Sequence, residues 1–124
     1  MALPRILNYP GTFTVCKVAA VSDLPPLADG FFTAVTGDEV SLVCPTESVP
    51  ANTTAREDGW CAFRFDGTLD FSLIGILAEA ADALKSAGVS IFAVSTYNTD
   101  YIFVKEANRP QAVDALSKRF AMEN

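Results

Sequence analysis

The second half of the chain changes its hydrophobic period in a fixed order, and this order most constrains the fold. Residues 60–65 (WCAFRF) alternate like a half-buried strand, with Cys61, Phe63 and Phe65 on one side. Residues 72–87 then follow a helical period, with an apolar stripe of Ile74, Leu77, Ala78, Ala81 and Leu84. The runs VSIFAVST and YIFV follow, and a second helical pattern covers residues 109–119. The pattern predicts an α+β fold of β-α-β-β-α order, with an antiparallel sheet and both helices on one face.

The first half repeats these strands without the helices. Residues 13–21 after the Pro10-Gly11 turn signal predict a strand, and 22–30 leave room for one helical turn. Two apolar runs flank Gly37-Asp38, which predicts a two-residue hairpin turn with positive φ angles. Residues 45–59 are polar without period and predict a surface linker. We therefore expect two parts, residues 1–58 and 59–124, the first a clipped version of the second.

The charge balance and the missing histidine exclude several functions. Nine basic and fifteen acidic residues give a net charge of −6, so attraction to nucleic acid or anionic membranes is not expected. No apolar run approaches the roughly 20 residues of a membrane span or forms a signal peptide, which favours a cytoplasmic protein. With no His, the chain cannot build a Ser-His-Asp triad or a His-rich metal site. We expect no metal, no cofactor and no catalysis.

Three cysteines stand at wide spacings. Cys16, Cys44 and Cys61 each lie in an apolar run typical of a strand. An odd number at such spacings does not indicate a disulfide framework, and nothing pairs a thiol with a base. We expect three reduced, buried thiols that act as small hydrophobes.

A run of short motifs in residues 70–106 resembles the ACT regulatory domain. The motifs are Gly75-Ile76 at the helix entrance, Ala87-Gly88 at its end, Ser95-Thr96-Tyr97-Asn98 after a strand, and Asp100. They are similar to the branch found in aspartate kinases and in the arginine-sensing CASTOR proteins. The first half also looks like the small bacterial proteins that carry two ACT units.

This resemblance implies a ferredoxin-like ACT fold, built as two tandem halves with the first abbreviated. It also implies that a free amino acid is bound where two ACT units meet. The partner is then a second copy of the chain or an unknown regulated protein. Only residues 121–124 follow the last helix, too few for the sixth element of a βαββαβ unit. We expect the strand near residues 13–19 to fill that edge.

Two segments are candidates for the ligand site. A helix N-terminus offers unpaired backbone donors to a carboxylate, and Gly75, without a Cβ, permits close approach. The β-turn segment gathers hydroxyl, phenol, amide and carboxylate groups. By resemblance to the arginine sensor, Asp100 contacts the cationic part of the ligand. The predicted ligand-binding residues are Asp70, Phe71, Ser72, Ile74, Gly75, Ile76, Thr96, Tyr97, Asn98, Thr99 and Asp100.

Each of these residues also has a purely structural interpretation. Asp70 or Ser72 can cap the helix, Gly75 can permit tight packing, and Asn98 is ordinary in a turn. The leading hypothesis is an allosteric, amino-acid-sensing ACT protein. The alternatives are a ligand-free module for oligomerisation or interaction, and an enzyme on a ferredoxin-like scaffold.

Overall fold

The chain divides into two compact units. The computed structural model describes residues 3–69 and 75–123. One unit, here called the helical unit, combines Met1–Pro10 with Cys61–Asn124; the other, the strand unit, is Gly11–Trp60. The first and fourth strands each contribute residues to both units.

Seven strands and two α-helices make up the described chain. The strands are β1 (Ile6–Val18), β2 (Phe32–Val35), β3 (Val40–Pro45), β4 (Ala55–Phe65), β5 (Ile91–Ser95), β6 (Asp100–Lys105) and β7 (Met122–Glu123). The helices are α1 (Ile76–Ser86) and α2 (Arg109–Ser117), and single 3-10 turns lie at Val21–Asp23, Thr46–Ser48 and Glu106–Asn108.

In the helical unit, both helices cover one face of the sheet. The strand order is β1-β4-β6-β5, with β5 and β6 antiparallel from Ile91↔Val104 to Ser95↔Asp100. Alternate residues of β4 and β6 point into one core, which also holds the buried side chains of both helices. The core members are Ile6, Cys61, Phe63, Phe65, Ile76, Ala80, Leu84, Val89, Ile102, Val104, Ala112, Ala115, Leu116 and Phe120. The predicted α+β architecture with helices on one face is confirmed.

The N-terminal segment completes the sheet of this unit, but with other residues than predicted. Residues 6–10 belong to the helical unit, whereas residues 13–18 pair with β3 in the strand unit. The prediction that residues 121–124 are too few for a sixth element is wrong, because β7 pairs with β1 in parallel at Ile6↔Met122. The backbone N–H of Ile6 donates to Ala121 O at 2.8 Å, and Arg5 forms ion pairs with Asp66 and Glu123. A two-residue strand depends on its partner, so its own sequence cannot reveal it.

The strand unit is a small sheet with its own core. Its strand order is β2-β3-β1-β4, and the pairs β1–β3 and β2–β3 are antiparallel. Cys16, Leu42 and Cys44 form the core, and Leu24, Phe31 and Val49 pack against it. All three cysteines, Cys61 included, are buried free thiols, as predicted.

The two long strands extend beyond their predicted limits. The Pro10-Gly11 pair lies inside β1 and does not form the predicted turn. The predicted linker over residues 45–59 is shorter, because β4 begins at Ala55. Polar residues can occupy a strand whose side chains face water, and residues 55–58 are exposed.

The first hairpin is confirmed, but its turn differs from the prediction. Strands β2 and β3 are paired up to Val35↔Val40, the last pair before the turn. Gly37 is not among the glycines with positive φ, and no non-glycine residue has one within the described ranges. The Thr36 hydroxyl instead accepts hydrogen bonds from the backbone N–H groups of Asp38 and Glu39, each at 3.2 Å. This side chain stabilises the turn in place of the expected backbone conformation.

The helices are shorter than predicted. Helix α1 begins at Ile76 with Gly75 as its N-cap, and the proposed caps Asp70 and Ser72 lie outside the described residues. Gly88 ends it in the predicted left-handed conformation, with φ +75°. Helix α2 ends at Ser117. Across residues 3–69 and 75–123, no helix has the length and apolar character needed to cross a membrane.

Candidate functional site

A cleft of about 290 Å³ lies in the helical unit between the start of α1 and the β5–β6 turn. Its lining consists of Leu69, Gly75, Ile76, Leu77, Ala78, Ser95, Thr96, Tyr97, Asn98, Thr99 and Asp100. The seven predicted site residues that the structure describes all line this cleft. The other four, Asp70, Phe71, Ser72 and Ile74, lie outside the described residues. The two predicted segments therefore meet in one place.

The first turn of α1 forms one wall. Gly75 has φ +83°, a conformation that L side chains avoid, and the Glu79 N–H donates to Gly75 O at 2.7 Å to begin the helix. The N-cap residue is Gly75, so it has no side chain that could cap this end of the helix. A Cβ placed on Gly75 would meet no atom of residues 3–69 or 75–123 within 4 Å, so these residues leave the space beside this backbone open. The first-turn N–H groups, which have no partner within a helix, are directed toward that end.

The β5–β6 turn forms the other wall, and two threonines hold its shape. The Thr96 N–H and hydroxyl both donate to Thr99 O, at 2.8 and 3.0 Å. The buried Thr99 hydroxyl donates to Phe65 O at 3.1 Å, which fixes the turn to β4. These hydroxyls serve as a scaffold, because their donor capacity is already used within the protein.

The two residues at the tip of the turn have different surroundings. The backbone N–H of Leu69 donates to Asn98 O at 2.6 Å, which ties the chain after β4 to the turn. The Tyr97 side chain is 79% exposed at the rim of the cleft. Asn98 thus has a structural contact through its backbone carbonyl, and its predicted ligand contact stays a prediction.

Asp100 provides the only ionic side chain of the described lining. It lies directly opposite Ser95 in the hairpin, and the Ser95 hydroxyl donates to Asp100 Oδ1 at 2.5 Å. No Lys or Arg lines the cleft, and residues 70–74 (DFSLI) contain none either. The carboxylate therefore gives the cleft a negative end.

The residue pattern missed Leu69, Leu77, Ala78 and Ser95 as lining residues. The sequence could have predicted Ser95 as a lining residue, because a two-residue loop at Tyr97-Asn98 places residue 95 opposite residue 100. Leu69 had no such signal, since its position depends on the backbone contact to Asn98.

The thiols of the described residues are buried, and their burial changes their acidity. Burial raises the pKa of the Cys16 and Cys61 thiols and raises the pKa of Cys44 to about 11. Protonated thiols are poor nucleophiles and poor metal ligands. Within residues 3–69 and 75–123, no three His, Cys, Asp or Glu side chains form a group that could hold a metal.

The chain has a ferredoxin-like α+β fold, and its cleft lies where the start of a helix meets a strand turn. The family model described as the ACT domain matches residues 55–118, more than half of the chain. The chain belongs to the ACT domain family. The comparison with curated protein sequences gave no match.

Solved structures share this fold over nearly the whole chain. An Agobacterium tumefaciens protein is 25% identical, with a TM-score of 0.85, and the match covers 100% of this chain and 94% of that one. A Vibrio cholerae protein described as a possible transport protein is 23% identical, with coverage of 92% and 88% and a TM-score of 0.69. The ligand-free regulatory subunit of Thermus thermophilus aspartate kinase is 11% identical, with coverage of 96% and 99% and a TM-score of 0.64. These likenesses show that the chain shares its fold with the two bacterial proteins and with the regulatory subunit of that aspartate kinase.

Proposed function

We propose that this protein is an ACT-type regulator that binds a free α-amino acid in the cleft of the helical unit. The observation that carries the proposal is the meeting of the α1 start and the Asp100 carboxylate in one cleft. The bound state is passed to a partner protein or to a second copy of the chain.

The α1 end of the cleft suits the ligand's carboxylate. Backbone N–H groups at a helix start carry partial positive charge and bind anions without a cationic side chain. The lining residues Leu77 and Ala78 follow Ile76 in the first turn, and Gly75 leaves open space beside them. A carboxylate can approach this backbone closely.

The Asp100 end suits the ligand's ammonium group. Its carboxylate accepts a hydrogen bond from Ser95 and has no cation among the lining residues. A charge-assisted hydrogen bond in a partly enclosed cleft is stronger than a neutral one. A zwitterion thus satisfies both ends of the cleft at once.

We further propose a partner for the helical unit, a cellular compartment and a non-catalytic role. The resemblance to regulatory ACT units leads us to expect a second ACT unit, from another copy or from a regulated protein, against the exposed Tyr97 rim. Three free thiols suit the reducing cytoplasm. We assign no catalytic step, because the chain has no histidine and its thiols are buried and protonated.

Calorimetric titration with the twenty amino acids tests the proposal. We expect at least one to bind, and Asp100→Asn to weaken its binding by about 1.5–3 kcal/mol, the scale of a hydrogen bond to a charged group. Asp29→Asn makes the same charge change in an exposed loop and should leave affinity unchanged. Equal affinity in both variants would place the ligand elsewhere. Absence of any binding would favour the ligand-free interaction module.

A further inference from the structure

Residues 65–69, at and after the end of β4, are bonded to the cleft turn on one side and are here called the bridge segment. The Thr99 hydroxyl donates to Phe65 O at 3.1 Å, and the Leu69 N–H donates to Asn98 O at 2.6 Å. Leu69 also packs against the core of the helical unit. A turn that shifts when a ligand binds therefore moves the bridge segment or breaks one of these hydrogen bonds.

The bridge segment is attached to the start of β1 on its other side. The Asp66 N–H donates to Arg5 O at 2.8 Å. The Asp66 carboxylate accepts hydrogen bonds from Arg5 Nε at 3.2 Å and from Arg5 Nη2 at 2.7 Å. One arginine thus holds the bridge segment through its main chain and through its side chain. Both side chains are partly exposed, so the ion pair taken alone is weak.

The same arginine contacts strand β7. Arg5 Nη1 forms an ion pair with the Glu123 carboxylate, and the Ile6 N–H donates to Ala121 O at 2.8 Å. Met122 packs against the same core as the bridge segment does. A continuous set of contacts therefore runs from the cleft turn through the bridge segment and Arg5 to β7, all within the helical unit.

Strand β7 is an element of low local stability. It contains two residues, which pair with β1 at Ile6↔Met122 and Leu7↔Glu123. Ala121 and Glu123 are exposed. Short elements with exposed backbone hydrogen bonds open locally at a free energy far below that of global unfolding. The docked and released states of such an element respond to a small change in the contacts that hold it.

We propose that β7 is a regulatory strap whose docking on β1 is coupled to the cleft through Arg5 and the bridge segment. An amino acid that fixes the cleft turn also fixes the bridge segment, which holds Arg5 in place for Glu123. Docking of β7 favours the ligand-bound turn in return, because coupling between two sites is reciprocal. The amino acid as the input rests on the function proposed above, whereas the coupling between β7 and the turn does not.

Hydrogen exchange of single backbone amides in the full chain, followed by nuclear magnetic resonance, tests the coupling without a ligand. The Ile6 N–H reports on β7 docking, and the Leu69 N–H, bonded to Asn98, reports on the cleft turn. Arg5→Gln removes both ion pairs, so both amides should exchange about two to five times faster. Glu123→Gln removes the β7 arm alone and should accelerate exchange at both amides by a smaller factor.

A control variant and a control amide separate coupling from general destabilisation. Arg56→Gln removes another partly exposed arginine that forms an ion pair, but in the strand unit, and should leave exchange at Ile6 and Leu69 unchanged. The Val89 N–H donates to Leu84 O at the end of α1 and should exchange at the parent rate in every variant. Acceleration at Ile6 alone in Arg5→Gln, or acceleration at Val89 as large as at Leu69, would overturn the coupling.

The ligand arm uses each of the twenty amino acids as the probe on the parent chain. For any that shifts the amide signals of Thr96–Asp100, exchange at Ile6 should slow by about fivefold or more. Arg5→Gln should weaken binding of the same amino acid, although Arg5 does not line the cleft. Binding that leaves exchange at Ile6 unchanged would overturn β7 as the output. Absence of binding with every amino acid would contradict the function proposed for the cleft, and comparing Arg5→Gln with Arg56→Gln would still decide the coupling.

Discussion

Ser95 is the residue through which the hairpin orients Asp100. Its hydroxyl donates to Asp100 Oδ1, and the two residues are direct partners across β5 and β6. Ser95→Ala removes this bond on an exposed strand position, so folding should be almost unchanged. We expect amino-acid affinity to fall by about 0.5–1.5 kcal/mol, the net value of one hydrogen bond.

Ser95→Thr is the matched variant, because it keeps the hydroxyl and suits a strand. Calorimetry should show affinity close to the parent for Ser95→Thr and a loss for Ser95→Ala. A loss of equal size in both would mean that the hydroxyl does not orient Asp100.

Gly75 is required by its backbone conformation, and a pair of alanine variants isolates that effect. Gly75 and Gly37 both have open space where a Cβ would lie, but only Gly75 has a positive φ. Gly75→Ala should lower the free energy of unfolding by about 1–2 kcal/mol, whereas Gly37→Ala should be neutral or slightly stabilising. Urea denaturation measures both. Equal effects would show that α1 can start without a left-handed residue.

Cys44 gives the unfolding free energy a dependence on alkaline pH. Burial raises the pKa of its thiol from 9.0 to about 11 in the folded protein. Above pH 9 the unfolded chain loses this proton first, so the free energy of unfolding should fall as pH rises toward 11. Cys44→Ala removes the titrating group and should reduce that slope in urea unfolding between pH 8 and 10.5. An unchanged slope would mean that Cys44 ionises equally in both states.

Among the elements, Arg119 connects the segment that follows α2 to the first two turns of α1. One of its nitrogens, Nη1, lies 3.0 Å from Glu79 Oε1 and 2.8 Å from Asp82 Oδ2. These acids hold the pKa of Arg119 above its ordinary value, Asp82 contributing most. Arg119→Ala should lower the free energy of unfolding at low salt, and by less at high salt, because the groups are partly exposed.

Lys118→Ala is the control for this prediction. Lys118 contacts Asp114 within the same helix at 3.5 Å, with both side chains more than 70% exposed. Its loss should change the unfolding free energy by less than about 0.5 kcal/mol. Equal effects of the two variants would show that the interhelical contact adds nothing to stability.

The elements that the sequence predicted are those with a local period. Strands β5 and β6 and the two helices follow from alternation and helical spacing. The apolar stripe of α1 was predicted in part, since Leu84 is buried and Leu77 packs against the core. The other buried residues are Ile76, Ala80 and Ala83 instead of Ala78 and Ala81, and Ile74 lies outside the described residues. Spacing alone allows neighbouring stripes in a helix rich in alanine, and only packing selects one.

The elements that were missed depend on a partner strand. The exposed polar residues 56–58 belong to β4, and Met122–Glu123 become a strand only beside β1. The prediction of the cleft lining had the same limit, because a residue placed by a contact distant in sequence gives no local signal. Turn residues Thr96–Asp100 were predicted from their polar groups, whereas Leu69 enters the lining through a backbone bond to Asn98.

At the scale of the whole molecule, the chain contains two units whose strand-turn-strand segments correspond. The Thr36 N–H donates to Glu39 O and the Thr96 N–H donates to Thr99 O, and the strand orders β2-β3-β1 and β5-β6-β4 correspond. The sequence predicts an abbreviated ACT-like half with its boundary at residue 58. Where the second half has α1, the first has only the turn Val21–Asp23. That boundary stays a prediction, and superposition of the two segments in an experimental structure would test it.

Thermal unfolding of the intact chain in the presence of each of the twenty amino acids tests whether the cleft of the helical unit binds an amino acid. A ligand that binds only the folded state adds about 2.7 kcal/mol at one hundred times its dissociation constant, which raises the melting temperature by several degrees. We predict such a rise for at least one amino acid, and a clearly smaller rise in Asp100→Asn than in Asp29→Asn. No rise with any amino acid, or an equal rise in both variants, would contradict amino-acid binding in this cleft.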